Sequence, residues 1–192
     1  MESYGNTSSI QENYSERGLP KLPLEYPDDR QCKQTKLLQE VTIVTMYLNI
    51  GNFRKGEGSG YHSPDMYRKW MRLYGFLLNP VIAFFDNETD RKYFLKIRRL
   101  HGQRDHTKTF LLGRRDMWAF SLRANISRIF KKPGYPKHHP NTVIPDYSCA
   151  TNAKYELIFN ATNANWFCTR YFAWSDIGFF RNGEAQKKHV IL

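Results

Sequence analysis

From Glu40 onward the chain alternates between two hydrophobic textures, each of which specifies an element. "VTIVTMYL" (41–48) is β-branched and apolar at consecutive positions, as a strand covered on both faces of a parallel sheet must be. "GNFRKGEGSGYH" (51–62) follows as a Gly-rich loop carrying Arg54 and Lys55. Ser63, Pro64 and Asp65 then supply a helix N-cap, a first-position proline and a first-turn acid. The helix they open places Met66, Trp70, Leu73 and Leu77 on one face, read as core, and Arg68, Lys69 and Arg72 on the other.

"PVIAFFD" (80–86) predicts a second buried strand ending in Asp86. Thr89 or Asp90 is the expected cap of the next helix, with Phe94, Ile97 and Leu100 inward. "TKTFLL" (107–112) predicts a third strand, and residues 116–130 one helix with Trp118, Leu122, Ile126 and Ile129 on its stripe. Prolines at 133, 136, 140 and 145 mark a loop. Asp146 is the expected cap of a helix bearing Ala150, Ala153, Leu157, Ile158 and Ala161, and "WFCTRYFAWSD" (166–176) of a last strand. The order β-α-β-α-β-α-α-β implies an α/β fold, a mostly parallel sheet flanked by helices. Residues 1–39, polar and proline-punctuated, read as a flexible tail; 40–182 form the domain, and 183–192 a second tail.

Composition narrows this only a little. With 41% hydrophobic and 15% aromatic residues, the 192-residue chain can bury one substantial core. A formal net charge of +11 favours phosphate-bearing ligands. The basic residues are spread over every predicted helix instead of one compact module, so no nucleic-acid partner is expected. No run approaches the roughly 18 apolar residues of a membrane helix, so no span is expected within these residues. Cys32, Cys149 and Cys168 have no metal-like spacing and read as free thiols, with a Cys149–Cys168 pair the alternative. N-x-S/T sequons stand at Asn6, Asn13, Asn87, Asn125 and Asn160, although Asn125 and Asn160 fall in predicted helices. An ER or Golgi lumen is the expected location if an anchor precedes these residues, and the cytoplasm otherwise.

In an open α/β sheet, ligands bind outside the carboxyl ends of the strands. That rule gathers Tyr47, Asn49 and the Gly-rich loop with Arg54 and Lys55, then Asp86, then Asp176, with Gly178 beyond it. Such a rim suits a phosphorylated ligand carried with magnesium or manganese, which take one or two carboxylates and leave the rest to phosphate and water. Plainer alternatives exist for each part. Asp86-Asn87 is a common turn or cap, and the Gly-rich loop matches neither GxGxxG nor the P-loop. His138 and His139 are adjacent and rarely converge on one ion. No Ser/His/Asp or Cys/His arrangement supports covalent catalysis. Asp176, ending the apolar run "FAWSDIGFF", is costly to bury unless it is paired or bound to a cation. It either meets a ligand or pairs with Arg170 or Arg181.

"VTIVTMYLNIGNFRKG", "NPVIAFFDN" and "NAKYELIFNATNANWFCTRYFAWSDIGFFR" resemble, in order, segments of the HtrL/YibB family, which has bacterial and nematode members. The most specific element is aromatic-x-W-x-D-x-G, matched by Phe172, Trp174, Asp176 and Gly178. The resemblance implies a Rossmann-like domain of the GT-A type. It also implies transfer of a sugar from a nucleotide-diphospho-sugar to a saccharide or glycoconjugate acceptor. Thr45 and Tyr47 would line the nucleotide pocket, and Asp176 would take the place of the last acid of a DxD motif. That acid meets manganese or magnesium on the donor diphosphate, or else ribose or sugar hydroxyls, because Trp174 stands where the first acid belongs. The few residues after Asp176 read as a C-terminus cut short of an acceptor-binding segment. The implied alternatives are a non-catalytic nucleotide- or carbohydrate-binding remnant and, more remotely, a basic nucleic-acid-binding domain.

Overall fold

A computed structural model describes residues 22–24, 41–56 and 60–181. The segments read as tails lie almost wholly outside the described residues, as does Cys32. Four parallel strands form the central sheet: β1 (Val41–Tyr47), β4 (Val81–Phe85), β5 (Thr107–Leu111) and β6 (Tyr171–Trp174). Their spatial order is β5-β4-β1-β6. Ile43 to Tyr47 of β1 align with Val81 to Phe85 of β4, and Val41 to Val44 align with Tyr171 to Trp174 of β6. All five residues of β4 are buried, as a central parallel strand covered on both faces requires. The glycine loop adds a small antiparallel hairpin, β2 (Phe53–Arg54) and β3 (Tyr61–His62).

Alternation along the strands divides the core. Ile43, Tyr47, Val81, Ala83 and Phe85 face helices α1 (Pro64–Met71) and α2 (Glu88–Leu100), through Met71, Phe94 and Ile97. Val44, Ile82 and Phe84 face the long helix α5 (Pro145–Ala164), through Leu157 and Ala161. The chain is therefore a Rossmann-like α/β domain with helices on both faces of a parallel sheet.

Several local expectations are corrected. Ser63 caps α1 as expected, accepting from the Met66 N–H at 3.3 Å. The helix then tightens into a 3-10 turn over Arg72–Phe76, so Met71, Tyr74 and Leu77 become the inward set. Met66, Trp70 and Leu73 are only half-buried. Gly75 permits the tightening, since a Cβ there would lie 2.5 Å from His101 Cδ2. Asn87, not Thr89 or Asp90, caps α2, accepting from the Asp90 N–H at 2.9 Å. Leu100 is 71% exposed and lies outside the core.

The helix expected over 116–130 is broken into a 3-10 turn (Arg114–Asp116), α3 (Trp118–Ser121) and α4 (Arg123–Phe130). The buried Glu156 carboxylate accepts from the Trp118 and Ala119 N–H groups, at 3.0 and 3.5 Å. Met117, Ala119 and Phe120 are thereby drawn inward, whereas Trp118 and Ile129 are exposed. Asp146 sits in the first turn of α5 behind Pro145; the cap position is Ile144, whose side chain makes no capping bond. The last strand spans four residues instead of 166–176, because Asn165 adopts a left-handed conformation and its side chain accepts from the Thr169 N–H.

Cys149 is a free buried thiol and Cys168 is disulfide-bonded, so the two do not pair and the set is not one of free thiols alone. Asn160 is buried and bonded to the Leu22 N–H and the Glu156 carbonyl, which closes that sequon to glycosylation in the folded chain. No helix among the described residues is long and apolar enough to cross a membrane.

Candidate functional site

The strand order decides where a ligand can sit. After β1 the chain moves outward through β4 to β5, and only later returns to place β6 on the other side of β1. The connections leaving β1 and β6 therefore diverge, and a crevice opens at their carboxyl ends. A cavity of about 430 Å³ lies there. Pockets for small organic ligands start at about 300 Å³.

Four segments build it. Tyr47 comes from the end of β1, and Phe53 and Lys55 from the hairpin region after it. Tyr67 and Trp70 project from α1, and Tyr147, Thr151 and Lys154 from successive turns of α5. Trp174, Asp176, Gly178 and Arg181 follow from the end of β6. The aromatic rings interlock: Tyr47 and Tyr67 lie 5.1 Å apart, Tyr67 and Trp70 4.9 Å, and Phe53 and Tyr147 5.5 Å. These contacts fix the rings before any ligand arrives.

Asp176 is exposed, and its carboxylate is oriented from within its own segment. The Trp174 indole N–H donates to Asp176 Oδ1 at 2.7 Å. Beneath them the buried Tyr74 hydroxyl lies 3.0 Å from the Asp176 carbonyl oxygen and 2.9 Å from Ser175 Oγ. Burial pushes the Tyr74 phenol up to about 12, so it remains a neutral donor. Gly178 lies against the Trp70 ring, and a Cβ there would come within 3.1 Å of Trp70 Cε3. The close approach that glycine permits is thus that of an aromatic side chain of the cavity wall.

The field in the cavity is mixed, with cations in excess. Desolvation and then Arg181 hold the Lys55 ammonium below its ordinary value, and Asp176 partly opposes them. Desolvation, then Lys55 and Arg181, lower the His62 imidazole in the same way. Burial raises Tyr67 and Tyr147, with the nearby Asp176 charge adding to both.

The expected site residues divide into two groups. Tyr47, Trp174, Asp176 and Gly178 converge on the cavity. Thr45 is fully buried beneath it, with its hydroxyl 3.4 Å from that of Tyr74. Arg54 lies in β2 outside the lining residues, while the adjacent Lys55 lines it. Asn49 and Asp86 serve a separate polar network. Asp86 Oδ2 accepts from Arg114 Nη2 at 2.9 Å, and Oδ1 from the Asn49 N–H at 2.9 Å. Arg114 also reaches the Asn49 carbonyl and Asp146, joining the ends of β1 and β4 to α5. The rim expected to share two carboxylates is therefore split, and Asp86 is engaged by a guanidinium away from the cavity. Trp70, expected in the core, is a wall of the site instead.

Tyr147, Thr151 and Lys154 went unrecognised by sequence reasoning, although their spacing of four and three residues puts them on one helical stripe. The model of the family described as "Bacterial protein of unknown function (HtrL_YibB)" matches residues 39–190. The chain belongs to the HtrL/YibB family. Comparison with curated proteins and with solved structures finds no match. The span matched to HtrL/YibB contains every residue that lines the cavity, so the site is part of the HtrL/YibB domain itself.

Proposed function

We propose that this HtrL/YibB chain is the donor-binding domain of a GT-A-type glycosyltransferase, which moves a sugar from a nucleotide-diphospho-sugar to a saccharide-type acceptor. The observation that carries the proposal is the cavity at the carboxyl ends of β1 and β6, where interlocked aromatic rings, three cations and one carboxylate meet. Each class of group has a counterpart in such a donor. Flat rings such as Tyr67, Trp70 and Tyr147 stack on a base or on the apolar face of a sugar. Lys55, Lys154 and Arg181 suit a diphosphate, since charge-assisted hydrogen bonds to phosphate are about twice as strong as neutral ones. Asp176 suits a hydroxyl of ribose or sugar, which donates to a carboxylate.

In transfer, the bond between the anomeric carbon and the diphosphate oxygen breaks with its electron pair leaving on the diphosphate. An acceptor hydroxyl oxygen bonds to that carbon, and the hydroxyl proton passes to the released diphosphate or to water. Cations facing the departing diphosphate stabilise the charge that develops on it.

The thermal stability of the chain tests this directly. UDP- or GDP-linked sugars raise its melting temperature by binding the folded state alone. The Asp176→Asn variant shows a smaller rise. Sugar transfer or donor hydrolysis then separates an enzyme from a binding domain that has lost turnover.

A further inference from the structure

The nucleotide-sugar proposed above carries a doubly charged diphosphate, and GT-A-type domains commonly neutralise it with a divalent cation held by two acids. Among the described residues, the donor set of this cavity holds one acid instead of two and sets it among cations. Asp176 is the carboxylate among the described lining residues, and Trp174 stands two positions before it, where a DxD motif has its first acid. The Trp174 indole N–H bonds Asp176 Oδ1 at 2.7 Å, and among the described residues no hydrogen bond engages Oδ2. Magnesium and manganese sites use carboxylate, phosphate and water oxygens, and a cation among three others loses Coulomb energy.

Those three cations come from different elements. Lys55 follows β2, Lys154 projects from α5, and Arg181 lies in the turn after β6. The Lys154 ammonium lies 5.4 Å from the centroid of the exposed Tyr155 ring, at the solvent edge of the cavity wall that Lys154 helps to form. Arg181 is near enough to Lys55 for their repulsion to disfavour a charged Lys55, and a bound dianion relieves that repulsion.

We propose that the cavity binds the diphosphate of its ligand without a divalent cation. Lys55, Lys154 and Arg181 supply the positive charge, and Asp176 Oδ2 accepts a hydroxyl of the ribose or sugar. Trp174 is a positioning residue, because it fixes which carboxylate oxygen faces the ligand. The inference rests on the nucleotide-sugar proposal, yet the two fail in different ways.

The experiment is calorimetric titration of the full chain with UDP and with GDP, once in EDTA and once in manganese. At least one of them binds in EDTA, and manganese changes its affinity by less than about threefold. Lys154→Gln and Arg181→Gln each weaken binding in EDTA by about tenfold or more, the loss expected for one charge-assisted hydrogen bond. Circular dichroism and unchanged melting of the unliganded variants show that the loss is not one of folding. Asp176→Asn leaves the manganese-to-EDTA affinity ratio near one. Binding seen only with manganese, and abolished by Asp176→Asn, would overturn the inference and leave the nucleotide-sugar proposal standing. Unchanged affinity in both cation variants would also overturn it. Absence of binding in either buffer would remove both proposals together.

Discussion

The buried hydroxyl of Tyr74 lies 3.0 Å from the carbonyl oxygen of Asp176, tying the inner face of the 3-10 turn after α1 to the segment that carries the cavity's carboxylate. The same hydroxyl approaches Thr45 in β1 and Ser175 after β6, so one phenol spans the two strands between which the cavity opens.

Tyr74→Phe removes that link while keeping the ring among Phe94 and Phe180. A lost buried hydrogen bond lowers stability by about 1 kcal/mol. The Asp176 carbonyl still accepts from the Phe179 N–H at 2.7 Å, so the fold survives. Urea denaturation is expected to show the modest loss, and nucleotide-sugar affinity to fall further than stability, because Asp176 is no longer held in place. Equal affinity in Tyr74→Phe and wild type would rule out a positioning role for Tyr74.

Gly75→Ala tests the tightened helix end. Its Cβ would meet His101 Cδ2 at 2.5 Å and Ile97 Cγ2 at 2.9 Å, both on a neighbouring packed element. Overpacking of this kind costs about 1–3 kcal/mol. A melting temperature unchanged by the substitution would mean that α2 can move away at no cost.

Arg98 is fully buried and has no carboxylate partner among the described residues. Its guanidinium donates to the carbonyls of Tyr74, Leu77, Asn79 and His106, and its Nε to Thr107 Oγ1. Burial lowers its pKa to about 9, yet the fork stays charged at neutral pH. Arg98→Met removes five donated hydrogen bonds where the 3-10 turn, α2 and the start of β5 meet, a loss of about 4 kcal/mol even though the Tyr74 and His106 carbonyls keep the Leu77 and Val81 N–H groups. Arg98→Lys recovers only part, since an ammonium offers three donors in place of five. Both losses are read from denaturant midpoints.

Two acids on α5 give opposite pH dependence. Hydrogen bonding to Arg123, with Arg114 adding, holds Asp146 below its ordinary value of 3.8. Its contribution is therefore complete above that pH and is lost as pH falls through the lower folded-state value. Burial raises Glu156 above its ordinary 4.5, so the folded state there favours the proton. Stability from Glu156 declines as pH rises from 4.5 to its raised folded value. Asp146→Asn is expected to flatten the acid limb below pH 3.8, and Glu156→Gln the slope above pH 4.5, both measured by denaturation across pH.

The sheet was legible because the strand code was strong. Five consecutive buried residues in β4 and the β-branched run in β1 admit few other structures. The boundaries that shifted depend on distant partners: Glu156 stops one helix from across the fold, and Gly75 tightens another against His101. At the site, the carboxyl-end rule located Tyr47 and Asp176 from the predicted strand ends alone. It could not separate Asp86 from them, because Arg114 lies 28 positions away in sequence and its approach is set by tertiary packing. Trp70 looked like core by its spacing and proved to be a wall of the cavity. A helical stripe that faces a crevice has the same period as one that faces a core.

Trp70 and Trp174 both line the cavity, so tryptophan fluorescence during titration with UDP- and GDP-linked sugars tests the donor proposal most directly. The predicted result is a saturable change with at least one nucleotide-sugar, weakened in Asp176→Asn and absent with the unlinked sugar alone. No change with any of them, in EDTA or in manganese, would contradict it.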